Sequence, residues 1–254
     1  MNPEKSEPAA APNGAAREPG VFVSTVEGFG RSAMGVVSDL GGLAMLGFQV
    51  ARWSVRRPFR PQNFFAQLDF VGVGSIFIVV LTGLFTGMVF AQQSSRAFEL
   101  FDAESLVGPT VALTITRELA AVFSALMVTM RAGSAMCTEL GTMRVTEQVD
   151  ALETMAVNPV QYLLVPRVLA GLTMVPVLTM IFDTAGLGGA YFVAVTVKGI
   201  SAGTFLARTR QWLEPADIFE GLIKGALFGL TVALICCFNS FRSVSNAATS
   251  GLSV

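Results

Sequence analysis

The sequence predicts an all-α polytopic membrane protein, and three observations carry that prediction. Hydrophobic residues make up 52% of the 254 and charged residues 14%, where a soluble domain carries about 25% charge. The mean hydropathy is +0.61. Residues 70–95 hold no charge between Asp69 and Arg96, and as a helix they would reach about 39 Å, enough for a hydrocarbon core of ~30 Å. A chain so poor in charge cannot cover its own surface with polar groups in water.

The same composition excludes several chemistries. Histidine is absent, so His-based triads, His–Cys zinc sites and imidazole proton relays are ruled out. A net charge of −1 points to no nucleic-acid partner. Cys137, Cys236 and Cys237 form no C-x-x-C and lie in or beside apolar stretches, as buried small hydrophobes do. No G-x-x-x-x-G-K-[ST] run occurs, so the chain is expected not to hydrolyse ATP by itself. A non-catalytic chain without cofactor or metal is the expectation.

The elements follow in order. Residues 1–20, rich in Ala and Pro with mixed charge, are expected to be a disordered tail and lack the pattern of a signal peptide. Residues 21–242 form one membrane domain. Within 21–57, Val26, Phe29, Met34, Val37 and Leu40 interleave with Glu27, Arg31 and Asp39. That pattern suits an amphipathic helix in the membrane interface, with Trp53 and a collar of Arg52, Arg56, Arg57 and Arg60 at headgroup level. A re-entrant or partly spanning helix is the alternative. Pro58 and Pro61 end it.

Four spans are expected after that, at about 70–95, 105–130, 162–197 and 217–241. The first holds Gly83 and Gly87, a G-x-x-x-G spacing that permits close helix approach. The second is interrupted by Arg117 and Glu118 and closed by Arg131. The third contains an apolar run at 168–197, broken only by Asp183 and glycines. It exceeds one crossing, yet no turn residues divide it, so one long tilted helix is expected. The fourth carries Asp217, Glu220 and Lys224 in its first turns. Residues 243–254 are small and polar and form a tail. The arginine collar outweighs the single arginine of the next loop, Arg96, which puts the N-terminus in the cytoplasm. Lys198, Arg208 and Arg210 after the third span do not help that rule.

Three constellations carry chemistry. In the loop 139–159, Thr146 is placed as an N-cap, with Glu147 in the first helical turn. Val145, Val149, Leu152 and Ala156 fall on one stripe, and Glu147, Asp150 and Glu153 on the other face, until Asn158-Pro159 stops the helix. A short helix with an acidic face over about 146–156 is therefore expected on the cytoplasmic side. It either lies on the membrane, where acids meet anionic headgroups unfavourably, or docks a soluble partner. Second, Arg117, Glu118, Asp183, Glu220 and Lys224 lie at or near membrane depth, where ionisable groups usually face a cavity or a partner. Arg117 and Glu118 point about 100° apart, so their partners are sought in Lys224 and in Asp217 or Glu220. An ion pair that fixes helix register and a polar patch in a substrate cavity are both open. Asp183 is the weaker member, with an interfacial position as its alternative. Third, Phe85, Met88, Val89, Phe90 and Gln92 offer a flexible lining suited to acyl chains, or ordinary helix packing.

The run Glu139-x-Gly141-Thr142-Met143-x-Val145-Thr146-Glu147-Gln148-x-Asp150-Ala151-Leu152 resembles the signature of the MlaE (YrbE-type) permease family. Arg117-Glu118-Leu119-Ala120, Arg131-x-Gly133-Ser134-Ala135, Asn158-Pro159 with Pro166-Arg167, and Asp217-x-x-x-Gly221-Leu222-x-Lys224 resemble it too. Together they cover roughly residues 30–240. The resemblance implies the membrane subunit of an ATP-driven ABC lipid transporter, a homodimer in the bacterial inner membrane. It makes 21–57 an elbow helix and 146–156 a coupling helix that docks in a groove of a separate cytoplasmic ATPase. Glu139, Thr146, Glu147, Gln148, Asp150, Leu152 and Glu153 would carry that docking. It also implies a phospholipid cavity open to the periplasm beneath a ring of MCE protein. Arg117, Glu118, Asp217 and Lys224 would be its polar wall, and Phe85, Met88, Val89 and Gln92 its apolar wall. A small STAS-type cytoplasmic protein is a further expected partner. The family continues with a Gly-rich run and a fifth span where this chain reads Ser243 to Val254, so nothing is assigned beyond Arg242. An ion- or proton-coupled secondary transporter and a non-transporting scaffold are the alternatives. Missing histidine and the lack of an obvious inverted repeat weigh against the former.

Overall fold

The computed structural model describes residues 21–54 and 61–250, with side chains described over 33–54 and 61–240. The expectations for 1–20, for Arg56, Arg57 and Arg60, and for 251–254 lie outside the described residues. Seven helices follow in order: α1 (Val21–Ser54), α2 (Pro61–Glu99), α3 (Glu104–Val145), α4 (Gln148–Thr154), α5 (Val160–Val197), α6 (Ala202–Trp212) and α7 (Pro215–Ser250). No strand occurs among the described residues. Among the described residues, five helices are long and apolar enough to cross a membrane: Ala33–Ser54, Pro61–Glu99, Glu104–Val145, Val160–Val197 and Pro215–Ser240. The all-α membrane fold is thus as the sequence predicts. The additional long apolar helix is α1, because Glu27 and Arg31 precede its apolar part and only Asp39 and Arg52 remain within it.

The chain divides into two units at Gly42. In the first, Met34, Val36, Val37 and Leu40 of α1 are exposed. The second, Leu43–Val254, holds the helix bundle, with α5 at its centre. On one side α2 approaches α5 backbone to backbone. A Cβ on Gly83 would stand 3.0 Å from the Phe182 carbonyl oxygen, and one on Gly87 would overlap the Gly186 carbonyl. On the other side α7 comes as near, Gly229 lying against the Gly171 carbonyl. Lipid tails are as apolar as leucine, so helices in a bilayer associate through close van der Waals packing at small residues. The G-x-x-x-G of α2 is such a contact.

Two apolar clusters fill the spaces between helices. The larger includes Val79, Ile115, Leu178 and Phe182, with the Phe123 and Phe182 rings stacked at 6.0 Å. The smaller gathers Val50 of α1, Leu140 of α3, Leu164 and Val165 of α5, and Cys237 of α7. Cys236 and Cys237 are buried, and the Cys137 thiol donates to the Cys236 carbonyl at 3.3 Å. The cysteines pack as small hydrophobes.

The helices overrun the charges that marked the expected spans. α3 does not close at Arg131 but continues to Val145, through π turns at Ile115–Leu119 and Thr129–Gly133. α2 begins before Asp69 and has a π turn at Asp69–Val73. Arg131 instead folds back on α2: its Nη1 donates to the Phe70 carbonyl at 2.9 Å and to Ser75 Oγ at 3.2 Å, with the guanidinium 5.7 Å from the Phe70 ring centre. Gly74 makes the room, since a Cβ there would overlap that guanidinium. α5 is one unbroken helix, as expected from the lack of turn residues. Asp183 is buried within it rather than at its rim. α7 continues as helix to Ser250, so 243–250 are not a separate tail. Between α5 and α7 lies α6, an element the sequence reading did not identify.

Candidate functional site

α7 reaches the π turn of α3 because Gly221 has no side chain. A Cβ at Gly221 would stand 2.5 Å from the Thr116 carbonyl oxygen. Asp217, Gly221 and Lys224 recur at helical spacing on one face, so this contact delivers both ionisable side chains to Arg117 and Glu118. Arg117 Nε donates to Asp217 Oδ1 at 2.8 Å, with Nη2 on the same oxygen. The other carboxylate oxygen of Asp217 accepts the Glu214 backbone N–H at 3.0 Å, which satisfies one of the free donors at the start of α7. Lys224 Nζ donates to Glu118 at 2.9 Å and to the Arg117 carbonyl oxygen at 3.0 Å, and pairs with Glu220 at 2.8 Å.

The network is open on one side. The Asp217 side chain is 4% exposed, but those of Arg117, Glu118 and Glu220 are 50%, 66% and 50% exposed. Phe219, Ile223 and Leu227 lie exposed on the same helix. Charged groups in hydrocarbon are costly and face cavities or partners instead. This face is therefore suited to water, a polar headgroup or another polypeptide rather than to bulk lipid tails. Such an arrangement of three carboxylates and two cations can exchange internal ion pairs for contacts to a charged guest.

The second site is α4. It is shorter than the expected 146–156, and Thr146 is not its N-cap. The Thr146 hydroxyl donates back to the Thr142 carbonyl at 2.9 Å and ends α3, while Glu147 adopts a left-handed conformation with φ +57° and precedes α4. Ala156, at φ +58°, follows it. Two non-glycine residues in this region are costly, and the turns they make set α4 off from both long helices. Glu147, Gln148, Asp150 and Glu153 are exposed, Val149 is buried and Leu152 is half-buried. The acidic face is thus outward, but the apolar stripe shrinks to Val149 and Leu152, since Val145 and Ala156 are exposed. Beneath α4 an open apolar cavity of about 240 Å³ is lined by Met143, Val149, Leu152, Met155, Tyr162 and Leu163.

Other expected residues are dispersed. Glu139 pairs with the buried Arg167 at 2.8 Å, tying the end of α3 to the start of α5. Phe85 and Val89 face outward from α2, Gln92 is half-buried, and Met88 packs inward on the main cluster beside Gly189. Met88 therefore belongs to helix packing. The roles of Arg131 and Arg167 were missed. Each lies on a motif already noted, Arg131-x-Gly133 and Pro166-Arg167, but a lone arginine does not reveal which carbonyl or carboxylate it will meet.

The family described as Permease MlaE matches residues 64–254. A probable ABC transporter permease protein of Rickettsia bellii is 35% identical over 227 residues, covering 89% of this chain and 88% of the relative. The intermembrane phospholipid transport system permease protein MlaE of Haemophilus influenzae is 34% identical, covering 87% and 85%. A probable ABC transporter permease protein of Synechocystis is 38% identical over 176 residues, covering 69% and 67%.

Proposed function

The chain belongs to the MlaE permease family, and from that premise we propose that it is the membrane permease subunit of an ABC-type phospholipid transport system. In this reading it sits in the bacterial inner membrane with its N-terminus in the cytoplasm, and α1 serves as the elbow. A separate ATPase supplies the energy. Closure of that ATPase pushes α4, and the force travels along α3 toward the ion network near its other end. Two copies face each other across a lipid cavity that opens to the periplasm beneath a ring of MCE protein. Arg117, Glu118, Asp217 and Lys224 hold the headgroup there, while Phe85 and Val89 meet the tails. A small STAS-type protein is an accessory on the cytoplasmic side.

The observation that carries the reading is that one long helix, α3, connects two charged sites. α3 bears the open ion network at Arg117 and Glu118, and it leads through Val145 and Thr146 directly into the outward acidic face of α4. The test is the complex purified from its own membrane. An ATPase should copurify with bound phospholipid. Changing Glu147 and Asp150 together to lysine should lower lipid-stimulated ATP hydrolysis in the assembled complex. Purification without an ATPase, or coupling unchanged by the two lysines, would sink the reading.

A further inference from the structure

α6 and the outer part of α5 enclose an open groove of about 320 Å³, lined by Leu187, Gly188, Tyr191, Phe205, Leu206 and Thr209. The Tyr191 and Phe205 rings meet edge to face at 5.7 Å and form its floor. Gly188 leaves it open, since a Cβ there meets nothing within 4 Å. Arg210 stands one turn beyond Leu206 on the same face of α6, and Arg208 lies on the opposite flank. Both arginines are exposed and have no acidic partner among the described residues. Trp212, half exposed, closes the helix. An aromatic ring of this kind prefers headgroup level in a membrane.

We infer that this groove is a lateral lipid site, separate from the Arg117–Lys224 network, that takes one acyl chain of an anionic glycerophospholipid while Arg210 holds its phosphate. Three features choose this occupant. The lining is apolar apart from Thr209 along the length of α5 that it follows, so a chain of methylenes fits it. The rim is basic and unpaired, which matches a phosphate at the headgroup boundary. The tryptophan marks that same boundary on the same short helix. The site does not depend on the chain being part of an ATP-driven transporter.

The experiment uses the full chain in vesicles of phosphatidylglycerol containing a trace of phosphatidylglycerol with a photoactivatable group midway along one acyl chain. Peptides labelled on irradiation are identified by mass spectrometry. Label should concentrate on peptides containing Leu187, Tyr191 and Leu206, and should vanish from them in Gly188→Trp, whose ring projects into the open groove. Arg210→Gln should lower the preference for the phosphatidylglycerol probe over a phosphatidylcholine probe about fivefold, the equivalent of one basic residue at an anionic surface. Labelling at the exposed outer face of α2 serves as the folding control and should persist in both variants. Label spread evenly over lipid-facing helices, or unmoved by Gly188→Trp, overturns the site. So does an intersubunit disulfide formed efficiently by Leu206→Cys, because the groove would then be a contact between two copies of the chain.

Discussion

Replacing Gly221 by alanine tests whether the approach of α7 to α3 builds the ion network. The new Cβ would stand 2.5 Å from the Thr116 carbonyl oxygen, where ordinary contact begins near 3.4 Å. The obstacle is backbone, so no side chain can rotate aside, and the helices must part locally by roughly an ångström in a close-packed interior. Overpacking of this kind costs about 1–3 kcal/mol. The same parting carries the 2.8 Å Arg117–Asp217 bond and the 2.9 Å Lys224–Glu118 bond beyond good hydrogen-bond length. Gly141→Ala is the control, since a Cβ there meets nothing within 4 Å. Alanine in an open helical position gains up to about 1 kcal/mol over glycine. The assay is reversible unfolding in mixed micelles by titration with SDS, beside lipid-stimulated ATP hydrolysis of the assembled complex. Gly221→Ala should lose about 1–3 kcal/mol and most of the stimulation, while Gly141→Ala should lose neither. Wild-type stability and wild-type stimulation in Gly221→Ala would refute the account of how α7 is seated.

Lys224→Met removes the donor shared by Glu118, Glu220 and the Arg117 carbonyl. Lipid transfer between vesicles should fall while the complex stays assembled, and transfer at the wild-type rate would remove Lys224 from the polar wall. Gly74→Ala should lower the thermal midpoint by displacing Arg131 from Phe70 and Ser75. Combined with Arg131→Met it should cost little more than either change alone, because both break one contact. Ala156→Gly should raise stability by about 0.5–1 kcal/mol, as relief of the left-handed strain outweighs the added freedom of the unfolded glycine. A loss of stability there would show that the turn after α4 is unstrained.

The fold class was legible because composition acts everywhere at once. A chain with 14% charge has no other way to satisfy its surface, and α5 could be read as one helix because no cluster of turn residues divides Val165–Phe192, where Pro176 stands singly inside the helix. The pairings of Arg117 and Glu118 with Asp217 and Lys224 of α7 were legible too, because so few ions exist at that depth that the candidates nearly name each other. Boundaries were not legible. Asp69 and Arg131 mark changes in polarity, and a helix ends where its backbone bonds end, so both stretches run past them. Thr146 shows the same ambiguity at one residue: a hydroxyl near a helix junction can cap forward or bond back to the carbonyl four residues earlier, and here it bonds back. α6 was not legible because its eleven residues are too few and too polar for a span and carry only Phe205, Leu206 and Trp212 as large apolar side chains.

The π turns explain how the few cations are held. Each carbonyl of a regular α-helix already serves its own ladder, and its second lone pair is the acceptor left for a side chain, as Thr82 uses the Ile78 carbonyl. A π turn disturbs that ladder over one turn and often marks a functional site. Two cations of this chain are bonded to carbonyls within such turns: Arg131 to Phe70 in Asp69–Val73, and Lys224 to Arg117 in Ile115–Leu119. In both cases the approach is opened by a glycine, Gly74 in the first and Gly221 in the second. A carbonyl partner holds a cation without a second buried charge, and so leaves the carboxylates free for other work. For Lys224 that means Glu118 and Glu220 share the ammonium rather than depend on it alone. Their side chains stay half exposed or more on the open face of the bundle. In the proposed transporter these are the groups able to release one partner and accept a charged headgroup, because Lys224 remains anchored to α3 through the Arg117 carbonyl when they do.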